Sequence, residues 1–249
     1  MKRFLLICAL SAGAACASPD ASLRPEARPE AASVAGAEAS QSVKQGAVSL
    51  RPQKRPRRVE RAARAEKRAA ARLAAKGAVC GDLDIQGVVI GRVASSVPGC
   101  GIAEAVGVRS VAGITLSPRA TMDCPTAQAL KTWVESSAKP AFAGKGGGLS
   151  SLRVAAHYAC RTRNNRPGGR ISEHGKGKAI DISAFRLRDG TSVTVTSGWS
   201  APTSRDAMRR VHRGACGPFG TVLGPQADRY HQDHFHFDTA AHRGGAYCR

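Results

Sequence analysis

Ser172-Glu173-His174-Gly175-Lys176-Gly177-Lys178-Ala179-Ile180-Asp181-Ile182-Ser183 is answered near the C-terminus by His231-Gln232-Asp233-His234-Phe235-His236-Phe237-Asp238, and the fold turns on reading these two runs together. From Ala179 to Ser183 the isoleucines alternate with smaller or polar residues, the period of a half-buried strand. Asp181 therefore points away from the face carrying Ile180 and Ile182. His234 to Asp238 alternates the same way, so both phenylalanines face a core and the histidines share the other face. If the two strands pair antiparallel, facing side chains lie roughly 5 Å apart, close enough to grip one ion. Four of the seven histidines fall in these runs, and two imidazoles with one carboxylate form the ligand set of catalytic zinc. A zinc hydrolase is expected.

The spacing also resembles a known superfamily, the zinc peptidases that group D-Ala-D-Ala peptidases, lysostaphin-type enzymes and penicillin-insensitive murein endopeptidases. Their signature is Ser-x-His-(x)6-Asp followed by His-x-His. The resemblance implies that His174, Asp181 and His236 bind one zinc ion and that His234 acts on the water or the oxyanion. His231 is a second such group if the turn before the strand carries it around to the same side. More narrowly, Cys160-Arg161, Ser172-Glu173-His174, Ala179-Ile180-Asp181-Ile182 and His234-Phe235-His236-Phe237-Asp238 are similar to the bacterial extensin-like C-terminal family. The likeness runs over residues 78–249 and is specific at these motifs. Related enzymes often carry an arginine at a strand end that binds a substrate carboxylate or the developing oxyanion. Arg161, where a strand over Leu152–Cys160 is expected to end, takes that part by resemblance.

The implied reaction is hydrolysis of peptide cross-links in peptidoglycan, D,D or L,D, for which zinc supplies a water acidified toward a pKa of about 7. No carboxylate is placed beside His-x-His as a general base. Asp233 should face the opposite way if the strand already begins there, and Glu173 is a weak alternative base. The competing reading is a catalytically silent peptidoglycan-binding or regulatory module on the same fold. Keeping three ligands and His234 counts against it, because a binder does not need an open metal site.

Met1-Lys2-Arg3, the apolar run Phe4–Ala15 and Ala15-Cys16-Ala17 read as a secretory signal over residues 1–17, which implies a periplasmic protein. Acylation at Cys16 is the less favoured alternative, because no leucine stands three residues before it. No segment approaches the ~18 apolar residues of a membrane span. The other six cysteines, Cys80, Cys100, Cys124, Cys160, Cys216 and Cys248, suit three disulfides in an exported chain. Fifteen connectivities remain open. No C-x-x-C pair speaks for a redox motif or zinc ribbon.

Residues 18–77 are rich in Ala, Arg, Pro, Glu and Ser and nearly without large apolar side chains, so they read as a disordered basic linker. Eleven Lys/Arg against two Glu between Arg51 and Ala78 supply about +9 of the formal +20. Arg58–Ala75 has the composition of a transient helix. Such a tail points to an anionic envelope surface, or to a solvated spacer without specific contacts. Nucleic acid is not expected, since the charge sits in the tail of an exported chain.

Residues 78–249 suit one domain. Val88–Ile90, Ile114–Leu116, Leu152–Cys160 and Val193–Val195 read as strands. Asp123 and Pro125 open a helix with Leu130, Trp133 and Val134 on one side, and Thr203–Asp206 resembles a capping box. Gly144–Gly148 is a loop without phosphate-loop spacing. The expectation is an α+β domain, a small antiparallel sheet flanked by helices.

Overall fold

The computed structural model describes residues 57–249. The signal-peptide and acylation readings, and the linker reading up to residue 56, lie outside the described residues. Part of the stretch read as linker is helical: α1 spans Arg57–Ala75, and from Arg58 onward only Leu73 is less than exposed. Alanine and arginine favour the helix, and Gly77, at φ +77, turns the chain into the first strand.

The strands are β1 (Ala78–Val79), β2 (Asp82–Val93), β3 (Ile102–Val111), β4 (Ile114–Asp123), β5 (Leu149–Ala156), β6 (Ala179–Leu187), β7 (Ser192–Thr194), β8 (Thr221–Leu223), β9 (Phe235–Asp238) and β10 (Tyr247–Cys248). They form one ten-stranded sheet in the order β1-β2-β3-β4-β5-β6-β9-β8-β10, with β7 also on β6. The expected small antiparallel sheet is therefore corrected to a large, mixed one. Parallel pairing of β4 with β5 follows from the connection between them. Residues 124–148 carry α2 (Cys124–Trp133), a π-turn over Val134–Ala138 and α3 (Lys139–Phe142), long enough to bring the chain back over the sheet. β10 also runs parallel to β8.

Helix α2 starts where Asp123 Oδ1 accepts from the Thr126 amide at 2.9 Å, with Pro125 in the first turn. Its Leu130 and Trp133, and Val134 after it, are fully buried. Trp133 stacks edge-on to Phe237 at 5.0 Å and donates its indole N–H to the Val211 carbonyl at 2.8 Å. That bond joins the sheet core to α5 (Arg205–Ala215), which buries Met208 and Val211. The expected capping box at Thr203–Asp206 does not form. Ser204 turns its hydroxyl to the Gly198 carbonyl at 3.0 Å, and Asp206 is exposed.

Strand β5 ends at Ala156, not Cys160: beyond it the Tyr158 and Ala159 amides turn to the Thr121 and His174 carbonyls at 3.1 and 3.3 Å. Likewise Val195 belongs to α4 (Val195–Gly198), which Thr194 caps through the Ser197 amide at 3.2 Å. The six cysteines pair as Cys80–Cys124, Cys100–Cys160 and Cys216–Cys248. Their separations of 44, 60 and 32 residues make each worth about 4 kcal/mol of lost unfolded-chain entropy.

Candidate metal centre

β6 and β9 pair antiparallel with Asp181 directly opposite His236. Phe235, Phe237, Ile180 and Ile182 fall on the core face and are fully buried. Asp181 and His236 project from the other face, as the alternation requires, and His236 Nδ1 lies 2.8 Å from Asp181 Oδ1. The strand begins at Phe235, so His234 stands just before it.

His174 arrives from a different kind of element, a single 3-10 turn over Glu173–Lys176. Gly177 closes this turn at φ +70, and a Cβ there would run into the Ile102 side chain. Both facts require glycine. The Gly175 and Gly177 carbonyls accept from the Gly101 and Asp123 amides at 2.8 and 2.9 Å. His174 Nε2 is thereby set 3.2 Å from both Asp181 Oδ1 and His236 Nδ1. One donor atom from each of the three residues lies within 4.8 Å of the others, and all three residues are buried.

The surroundings settle which ring atoms face inward. The His157 carbonyl, 2.9 Å from His174 Nδ1, can only accept, so that nitrogen carries hydrogen and Nε2 faces the cluster. Asp238 Oδ2, 3.0 Å from His236 Nε2, does the same for the second ring. A His174 Nε2 lone pair facing a carboxylate oxygen at 3.2 Å needs a proton or a cation between them. The donor set, two imidazole nitrogens and one carboxylate oxygen with both rings oriented from behind, fits a zinc-type cation.

Without a cation, the charges arrange themselves around protons. Burial would raise the Asp181 carboxyl, but hydrogen bonds from His174 and His236 outweigh it and hold the group well below the usual carboxylate range. Burial disfavours charge on His236, yet Asp181 and Asp238 overturn this and raise its pKa to about 9.

A cavity of about 390 Å³ opens beside the cluster, lined among others by Arg161, Glu173, His231, His236, His242 and Tyr247. His231 turns Nδ1 to Asp228 Oδ1 at 2.7 Å, and its Nε2 has no hydrogen-bond partner among the described residues. Burial lowers its pKa, against the opposing pull of Asp228. His234 holds Asp233 Oδ1 at 2.7 Å through Nδ1, and its Nε2 lies 3.6 Å from Asp181 Oδ2. Arg161 sits five residues beyond the end of β5, on a loop tied down by Cys100–Cys160 and by the Ser172 amide, which donates to the Arg161 carbonyl at 3.0 Å. Glu173, the alternative base, is buried and held by Lys176 at 2.8 Å and Arg163 at 3.4 Å.

Four site residues escaped the sequence reading. Asp238 shares the face of His236 by the same alternation, which was signal enough to find it. Asp228 stands three residues before His231, a spacing that meets only because a turn folds it back. Thr221 and His242, whose Oγ1 and Nε2 are 2.9 Å apart, carry no local signal.

The family described as extensin-like protein C-terminus matches residues 79–249, and the chain belongs to it. Comparison with curated proteins and with solved structures returned no match.

Proposed function

We propose that this protein is a zinc-dependent peptidase of the bacterial cell envelope that hydrolyses peptide cross-links in peptidoglycan. The observation that carries the reading is the convergence of His174 Nε2, Asp181 Oδ1 and His236 Nδ1 at the edge of a cavity lined by protonatable and cationic side chains. The Ser-x-His-(x)6-Asp and His-x-His spacing, similar to that of the zinc peptidases, supports it.

A zinc ion held by these three residues would supply Lewis acidity and an acidified water. The chain's own groups would do the rest. His231, with Nδ1–H given to Asp228, offers its Nε2 to take a proton on the cavity side and return it to the leaving amine. His234 Nε2 stands against the second oxygen of Asp181, where it can hold a proton next to the reacting carbonyl. Arg161, on the cavity wall, would draw in a carboxylate of the peptide stem or steady the oxyanion. Export to the periplasm is part of this reading, since the substrate and the three disulfides both call for it.

The test is digestion of purified cross-linked peptidoglycan with the zinc-loaded protein, the chelated protein and the Asp181→Ala variant, with released muropeptides identified by mass. Chelator-sensitive loss of cross-linked dimers is expected. Binding to the sacculus without any mass change would make the silent wall-binding module the better reading.

A further inference from the structure

Helix α1 carries a charge pattern that its own stability does not explain. At about 100° per residue, Arg61, Arg64, Arg68 and Arg72 fall within an arc of about 80° and span about 16 Å of helix axis. These four side chains border one shallow groove along the helix. A solvated helix usually interleaves acids at i±3 and i±4 to offset such a row. Here only Glu60 meets the row, at i−4 to Arg64, while Glu66 has alanine at all four of those places, Ala62, Ala63, Ala69 and Ala70. Among the described residues, none of the four arginines is in an ion pair. Apart from Glu60 beside Arg64, the row thus holds like charges at i, i+3 and i, i+4, an arrangement that costs stability unless an external anion supplies the counter-charge.

The other side of α1 limits what that anion can be. Opposite the arginines stand Val59, Ala62, Ala63 and Ala70, too little apolar surface to dock in a protein groove or to insert deeply in a bilayer. A straight row of guanidiniums suits a flat array of phosphates, each taken by a two-pronged fork. We propose that α1 lies with its arginine face on a bilayer surface carrying anionic phospholipids, holding the domain at that surface. This is independent of the metal-centre reading. The apolar run Phe4–Ala15, read as an export signal, favours a membrane-bounded compartment over one containing nucleic acid.

The experiment uses the full chain and a permuted chain of identical composition and charge, in which Arg61→Val is paired with Val59→Arg and Arg68→Ala with Ala74→Arg, positions that meet no glutamate at i±3 or i±4. The two relocated arginines then point to the opposite side of the helix. Binding is measured by co-sedimentation with phosphatidylcholine vesicles containing about 30% phosphatidylglycerol, with pure phosphatidylcholine vesicles, and with inorganic polyphosphate as a soluble competitor. Each arginine near an anionic surface is worth about a fivefold change in partitioning, so the permuted chain should bind about 25-fold more weakly. Pure phosphatidylcholine should bind neither chain. Equal binding of both chains to the anionic vesicles would overturn the role of the stripe, and no binding by either would overturn the membrane surface. Displacement by polyphosphate at phosphate concentrations well below those of the vesicle lipid would make the partner a soluble polyanion instead. Helix content by circular dichroism and the melting of the domain, expected to be unchanged, check that the permutation leaves the fold intact.

Discussion

His236 and Asp238 stand two residues apart on β9, both on the site side of the sheet, with Nε2 and Oδ2 3.0 Å apart. Asp238 is itself held by the Ala240 amide at 2.9 Å and sits opposite Thr221 in the β8–β9 pairing. The carboxylate thus fixes the ring of His236 from behind and leaves Nδ1 facing Asp181 and His174. Asp238→Asn should weaken zinc binding about 10- to 100-fold with the fold retained. Competition with a chromogenic chelator measures this, and wild-type affinity in the variant would remove Asp238 from the centre.

In the proposed centre, zinc and protons would compete for the same atoms. His236 in the metal-free protein is raised to about 9, above its ordinary 6.5, so its charged pairing stabilises the fold fully below about 6.5 and is lost as pH rises through about 9. Binding zinc must expel that proton. Apparent zinc affinity should therefore rise about tenfold per pH unit up to about 9, with proton release of about one per ion near pH 7. Calorimetry in buffers of different ionisation enthalpy reads both, and a pH-independent affinity would contradict the assignment.

His231→Ala should keep its zinc, since the residue is outside the three-donor cluster, and should lose hydrolysis by roughly 10²- to 10⁴-fold. Asp228→Asn, which only orients His231, should lose less. His234→Ala should also retain metal. Steady-state rates on a cross-linked muropeptide separate the three, and a greater loss in His234→Ala than in His231→Ala would hand the proton role to His234.

Two disulfides of similar loop length offer a matched comparison. Opening Cys80–Cys124 or Cys100–Cys160 with serine pairs should lower stability by about 2–5 kcal/mol in either case. Only the second frees the loop that carries Arg161, so only it should also raise KM for cross-linked peptide. Urea unfolding and kinetics on both variants provide the check.

His212 is buried against Trp199 and Phe235, with Nε2 unbonded among the described residues, and burial lowers its pKa to about 4. A folded value below the ordinary 6.5 means the unfolded chain binds the extra proton, so stability falls as pH drops from about 6.5 toward 4. His212→Phe should flatten that acid limb by about 2–3 kcal/mol. Urea midpoints of metal-free protein at pH 7 and pH 4.5 measure the difference.

The β6–β9 half of the site was readable because strand alternation is a local rule. Once Ile180 and Ile182, or Phe235 and Phe237, are assigned to a core, Asp181 and His236 have only the other face left. The helical period, equally local, identified Leu130, Trp133 and Val134 as buried, and the Asp123 cap was visible in residue chemistry alone. The capping box failed because α5 starts one residue later than its spacing requires, with Ser204 rather than Thr203 at the cap, and the Ser204 hydroxyl goes to the Gly198 carbonyl, a contact outside its own turn.

What the chain determined by itself, then, was periodicity, capping and the spacing of donor side chains, all properties of neighbours within a few residues. Which cysteines pair, that β4 lies parallel to β5, that the chain leaves the sheet at Ala156, and that Asp228 and His231 meet over the cavity were decided only in three dimensions. These depend on which distant surfaces bury each other best. His174 shows the division most plainly. Its imidazole was a donor by residue type, but its aim comes from the His157 carbonyl, the glycine-closed turn and the Ile102 side chain packed against it, contacts made only when the domain closes.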